Sequence, residues 1–104
     1  MASHEMGERR LKPRIEGPIP AHLRYADTAG RPFEIQTMLD NLSVGGFHLR
    51  LEHPLHPSLA IFSLINFMGM VIEAEGVVRR IEARPDGAFG FGVQFKSYQI
   101  RTSS

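Results

Sequence analysis

The sequence predicts an all-β chain of six antiparallel strands, closed as a barrel or stacked as a sandwich, and three observations carry that prediction. Apolar residues recur with period two, the mark of half-buried strands. The apolar runs are short and fairly evenly spaced, with Gly, Pro, Asp and Asn clusters between them. No stretch shows convincing helical periodicity. At 104 residues there is room for one modest core and one domain.

The strands follow in order. Ile19, Ala21, Leu23 and Tyr25 alternate with His22 and Arg24, which gives the first. Asp27 to Pro32 is turn chemistry. Phe33, Ile35, Thr37 and Leu39 alternate with Glu34, Gln36, Met38 and Asp40 as the second strand. Asn41-Leu42-Ser43-Val44-Gly45-Gly46 reads as a break, because paired glycines allow positive φ. Phe47, Leu49 and Leu51 form the third strand, and the prolines of His53 to Pro57 then forbid ladder donation. Ala60 to Met68 is a fourth strand, apolar on both faces, and Met68-Gly69-Met70 turns it tightly into a fifth, Val71 to Ile81. Arg84-Pro85-Asp86-Gly87 is a turn, and Phe89, Phe91, Val93 and Phe95 mark the sixth strand. Tyr98 to Arg101 is compatible with the start of a short C-terminal helix. This divides the chain into a flexible N-terminal arm (1–8), a barrel domain (9–98) and a C-terminal tail (99–104). Met1 to Gly7 is read as partly vector-derived, and the abrupt stop after Ser104 fits a domain excised from a longer protein.

Composition narrows the function classes. A formal net charge of +1 argues against a broad electrostatic footprint on a nucleic-acid polymer. With no cysteine, disulfides and thiolate zinc sites are excluded, which fits a reducing compartment. The most apolar stretch, Leu59 to Ile72, is interrupted by Ser63, Asn66 and Gly69 and is too short to span a bilayer, which takes about 20 residues. No apolar signal-peptide core opens the chain. The expectation is a cytoplasmic protein without membrane insertion.

Several constellations invite chemistry and fail its requirements. Ser43 sits in a Gly-rich turn, but Asn41 stands where a nucleophile elbow needs glycine, and the turn joins strand to strand. Glu73 and Glu75 share a strand face, which reads as a solvated face. His53 and His56 have a ligand-like spacing without a carboxylate or cysteine at recognisable distance. Phe89, Phe91 and Phe95 superficially resemble an RNA-binding sheet motif, but Ala88 and Gly92 break its pattern, and one shared strand face is what a barrel core wants. The reading is therefore no catalytic residue, no metal, no cofactor and no enzyme.

Two features remain. Arg9, Arg10, Lys12 and Arg14 place four positive charges within six residues. Pro13 keeps the stretch from regular helix, and the planar guanidinium fork can grip phosphate or the O6/N7 edge of guanine with two bonds. Separately, Asn41 to Gly46 offers an amide, a hydroxyl and a glycine-permitted close approach at a strand end. Asn41 can bond a base edge, Ser43 a phosphate, and Gly45 and Gly46 leave room for a ligand.

Taken together, Arg10-Leu11-Lys12-Pro13-Arg14, Asn41-Leu42-Ser43-Val44-Gly45-Gly46 and the closing Gly92-Val93-Gln94-Phe95 resemble the PilZ domain family, from about Glu8 to Phe95. The resemblance implies a six-stranded barrel that binds the bacterial second messenger cyclic di-GMP. Arg10 and Arg14, with Arg9 beside them, would hold phosphates and guanine faces, while Asn41, Ser43, Gly45 and Gly46 would line the barrel side. The family pattern admits asparagine at the first position of its second motif, where aspartate is common. A single amide oxygen grips the guanine N1/N2 edge more weakly than a carboxylate. The implied function is a receptor domain whose arm moves on binding and so regulates a protein partner or an attached effector domain. The outputs known in the family are motility, exopolysaccharide synthesis and virulence. Two other readings stay open: a barrel of this architecture that binds proteins and no nucleotide, and a small barrel for single-stranded nucleic acid.

Overall fold

A computed structural model of the protein describes residues 14–102. It contains six strands: β1 (Arg14–Ala26), β2 (Pro32–Ser43), β3 (Gly46–Leu51), β4 (Ala60–Phe67), β5 (Met70–Ala83) and β6 (Phe89–Thr102). Every neighbouring pair is antiparallel, and the order β1-β2-β3-β6-β5-β4 closes the sheet on itself. The closing seam is short. Ala21 to Arg24 of β1 meet Ile65 to Phe62 of β4. Closure matters because an open edge leaves unpaired backbone groups that must be covered or solvated.

Alternation decides what lies inside. Ile19, Ala21, Leu23 and Tyr25 point inward from β1, Leu39 and Leu42 from β2, and Phe47, Leu49 and Leu51 from β3. Ile61 and Ile65, Ile72 and Val78, and Phe91 and Val93 complete the core from the other three strands. Burying each large apolar side chain contributes about 1.5–3 kcal/mol. Ser63 is the buried polar residue, and its hydroxyl donates to the Ala74 carbonyl at 3.4 Å. The Phe-rich strand is core, as its face pattern predicts: Phe91 is fully buried, while Phe89 and Phe95 pack against the cluster from its margins. β4 carries apolar residues on both faces, but Phe62 and Leu64 point outward and are exposed.

The structure departs from the sequence reading at three places. Asn41, Leu42 and Ser43 are not a break: they stay in β2, paired with Glu16, Ile15 and Arg14, and the turn shrinks to Val44 and Gly45. Buried Leu42 continues the alternation, so core packing overrides the glycine signal. β1 begins at Arg14, well before Ile19. Its register slips between Glu16 and Ile19, around a cis Gly17–Pro18 bond. Glycine at 17 is what lets the backbones approach there, since a Cβ would stand 2.1 Å from the Leu39 carbonyl oxygen. Finally, Tyr98 to Arg101 is not helix. β6 runs on to Thr102, pairing Tyr98, Gln99, Ile100 and Arg101 with Ala74, Glu73, Ile72 and Val71. Period two simply continues, and Glu73 receives both the Gln99 amide and the Arg101 guanidinium.

Candidate functional site

The end of the β2–β3 hairpin, with the first residues of β1, builds an outward-facing polar stripe. Arg14 stands opposite Ser43, and Glu16 opposite Asn41. Across β2, Asn41 faces His48 and Ser43 faces Gly46; across β3, Gly46 faces Gln94 and His48 faces Gly92. Ile15, Leu42, Phe47 and Val93 fill the opposite face, toward the core. Thus Arg14, Asn41, Ser43, Gly45 and Gly46 come together at one place on the barrel surface. Arg9 and Arg10 lie outside the described residues.

Local geometry explains the residue types. Ser43 Oγ accepts the Gly45 N–H at 3.3 Å and donates to the Gly46 carbonyl at 3.4 Å, so it braces the turn through two long bonds. Those bonds are weak enough for a ligand oxygen to compete with. Gly46 admits no side chain: a Cβ would sit 1.9 Å from the Val93 carbonyl oxygen. Asn41 Oδ1 accepts from His48 Nδ1 at 3.2 Å, which leaves the amide NH2 as the donating end. His48 Nε2 then lies over Gly92, where a Cβ would be 3.2 Å from it and 3.3 Å from Arg80 Cβ.

Four flanking residues escape a reading by motif. His48 and Gln94 are ordinary outward positions on their strands. Arg79 and Arg80 both face outward because β5 bulges between Val78 and Arg80, placing two consecutive side chains on one face. Two successive arginines between inward Val78 and Ile81 were the available signal. Arg79 Nε donates to Gln94 Oε1 at 2.8 Å, which turns the Gln94 amide NH2 outward. Among the described residues, Arg14, Arg79 and Arg80 have no carboxylate partner. Arg50 is tied to Asp86 and Arg84 stands near Asp40. The stripe therefore keeps cationic forks available for an anion.

Other polar groups are committed elsewhere. The Tyr25 hydroxyl bonds His53 Nε2 at 2.9 Å, and burial pushes the Tyr25 phenol above its ordinary value of 10.0. His56 Nδ1 stands 3.2 Å from the Pro57 carbonyl. The Ala88 N–H and the Arg50 guanidinium hold the Asp86 carboxyl below the usual carboxylate range. A concavity of about 700 Å³ lies away from the stripe. It runs over the outer face of β4 and its neighbours, floored by Phe62 and Leu64 and walled by Arg24, Glu73 and Glu75. Its acids face Arg101 and Lys96. That distribution suits an anionic ligand poorly, so the stripe is the better candidate despite being shallower.

The family model described as the PilZ domain matches residues 8–104. Among solved structures, the chain is similar to the Bacillus subtilis inhibitor of motility MotI/DgrA, at TM-score 0.69 and 21% identity, over 88% of this chain and 44% of that one. It is similar to MrkH of K. pneumonia, at TM-score 0.60 and 13% identity, over 97% of this chain and 38% of that one. A chain described as an F420 reductase also shares the fold, at TM-score 0.63 and 13% identity, over 82% and 92%. No curated protein sequence matches the chain. The chain thus spans less than half the length of MotI/DgrA and of MrkH. Fold likeness alone extends to a reductase, and it is the match over residues 8–104 that places the chain in the PilZ domain family.

Proposed function

We propose that this domain is a cyclic di-GMP receptor. PilZ domains are receptor or effector domains, and one observation supports the ligand assignment above the others. The register sets Arg14, last residue of the arginine motif, directly opposite Ser43 of the second motif, with Asn41 one outward position along the same face. Two motifs well separated in the sequence thereby form one surface. A ligand with two phosphates and two guanines suits it. Arg14 and the preceding Arg9 and Arg10 take phosphate oxygens or guanine edges by forked bonds. The Asn41 amide and Ser43 hydroxyl bond the nearer base or phosphate, and Gly45 and Gly46 keep the approach open. Arg79, Arg80 and Gln94 extend the cationic rim.

In this reading the ligand bridges the N-terminal arm and the barrel, and the repositioned arm alters what the barrel face offers a partner or an attached domain. The role is that of a receptor and not an enzyme, and it places the protein in the bacterial cytoplasm, where this messenger is made and read. No helix among the described residues is long and apolar enough to cross a membrane. Titration calorimetry with cyclic di-GMP, with GTP and cyclic GMP as controls, tests the assignment. Saturable heat with cyclic di-GMP alone supports it, and no heat would leave a barrel that binds proteins only, for which exposed Phe62 and Leu64 are the natural contact.

A further inference from the structure

The last third of the barrel's longest hairpin is half unpartnered. β3 pairs with β6 only from Phe89 to Gln94, and the final bond across that seam is the Phe95 N–H to the Gly45 carbonyl, 2.9 Å. Beyond it, Lys96 is taken up in a bulge and Ser97 to Thr102 remain paired to β5 on one side, while among the described residues nothing pairs with their other side. The edge is long for an open one, and natural edges are normally blunted by proline, inward charge or a bulge. Here the bulge at Lys96 lies only at the start, Ser97 to Arg101 is unbroken strand without proline, and Tyr98 and Ile100 expose 48% and 52% of their surface on one face.

We propose that this edge pairs with the same edge of a second copy, giving a twofold-symmetric dimer with one sheet running β4-β5-β6 into β6-β5-β4 of the partner. The residue order favours that occupant. Antiparallel pairing of a strand with itself needs a residue opposite its own copy. Full overlap of Lys96 to Thr102 puts Gln99 at that centre. Tyr98 then faces the second copy's Ile100, twice, so four apolar side chains close over one another on one face. Arg101 faces Ser97 and Lys96 faces Thr102, so no like charges oppose across the seam. Shifting the centre to Tyr98 sets Lys96 against Ile100, and shifting it to Ile100 sets Gln99 against Arg101 and strands Lys96 and Ser97. The central register is thus the one in which apolar meets apolar and overlap is longest. On the opposite face, Arg101 and Gln99 stay committed to Glu73 of their own chain. A seam this short sits at the weak end of specific interfaces, so assembly is concentration-dependent.

Analytical ultracentrifugation of the whole chain over a wide concentration range tests this. The expected result is a reversible monomer–dimer equilibrium, weakened about tenfold or more by Ile100→Lys. The double variant Tyr98→Glu/Ile100→Lys sets opposite charges across both symmetric contacts and should recover most of the dimer that Ile100→Lys loses. Circular dichroism checks that both variants keep the barrel, as their exposure allows. Hydrogen exchange on unmodified protein gives an independent readout, with protection of the 96–102 amides rising with protein concentration. A chain that stays monomeric with concentration-independent protection has its edge covered in cis or left for a different protein, and overturns the proposal. So does a dimer indifferent to Ile100→Lys.

Discussion

Arg14 and Gly46 show how much single residues decide here. The guanidinium of Arg14 has no carboxylate partner among the described residues and stands across from Ser43, so its removal should cost ligand binding and little stability. Arg14→Ala is expected to weaken cyclic di-GMP by about 1–3 kcal/mol, tenfold or more, if its fork makes two bonds. Arg14→Lys should recover only part of that, since an ammonium lacks the fork. Gly46→Ala does the reverse. A Cβ 1.9 Å from the Val93 carbonyl oxygen forces β3 away from β6, and denaturant unfolding should show a loss of about 1–3 kcal/mol. Tyr25 gives a pH signature. Burial raises its phenol above 10.0, so the folded pKa exceeds the unfolded one. Its stabilising effect is complete below that unfolded value and is lost as pH rises through the folded one. Unfolding midpoints should therefore fall more steeply above about pH 10 in the native chain than in Tyr25→Phe. The sequence displayed Arg14, Asn41 and Ser43 plainly, because their types and spacing are the motif itself. It hid His48 and Gln94, which are unremarkable alternating residues until the register brings them beside Asn41 and Gly46.

At the scale of strands, period two located all six elements, and errors arose where local turn signals competed with tertiary pairing. Gly45 and Gly46 suggested a break six residues long, but Leu42 has a core position to fill and holds β2 together to Ser43. That extension is what places Ser43 in register with Arg14. Pro18 and Gly17 hid the start of β1, because a proline inside a strand ordinarily marks an edge or a bulge, and here it marks a bulge. The bulge at Arg79 leaves a similar trace, two consecutive polar residues in an alternating run, and doubles the charge offered at the rim. Arg79→Ala with Arg80→Ala should reduce the salt dependence of cyclic di-GMP binding along with its affinity, measured as the slope of calorimetric affinity against salt. The unfolding midpoint should change little, because both side chains are exposed and neither has an acidic partner among the described residues.

For the molecule as a whole, the closed sheet buries its apolar residues in the interior and presents the candidate site on its outer wall. Phe91 is fully buried among residues from every neighbouring strand, and Phe91→Ala should cost about 3–5 kcal/mol of unfolding free energy. The same interior serves a chain described as a reductase and two much longer proteins, so fold alone selects no activity. What bears on activity here is the match to the PilZ domain, together with the stripe on which Arg14 meets Asn41 and Ser43. If the stripe is the messenger's site, ligand near a hundred times its dissociation constant stabilises the fold by about 2.7 kcal/mol and raises the melting temperature. Limited proteolysis around residues 1–13 should slow on the same titration, because the arm and the barrel then share one ligand. The decisive measurement is calorimetric titration of cyclic di-GMP into the native chain, Arg14→Ala and Ser43→Ala. Saturable binding by the native chain that weakens in both variants, while their unfolding midpoints stay put, is the predicted result. Unchanged affinity in both variants, or no binding to the native chain, would contradict the assignment.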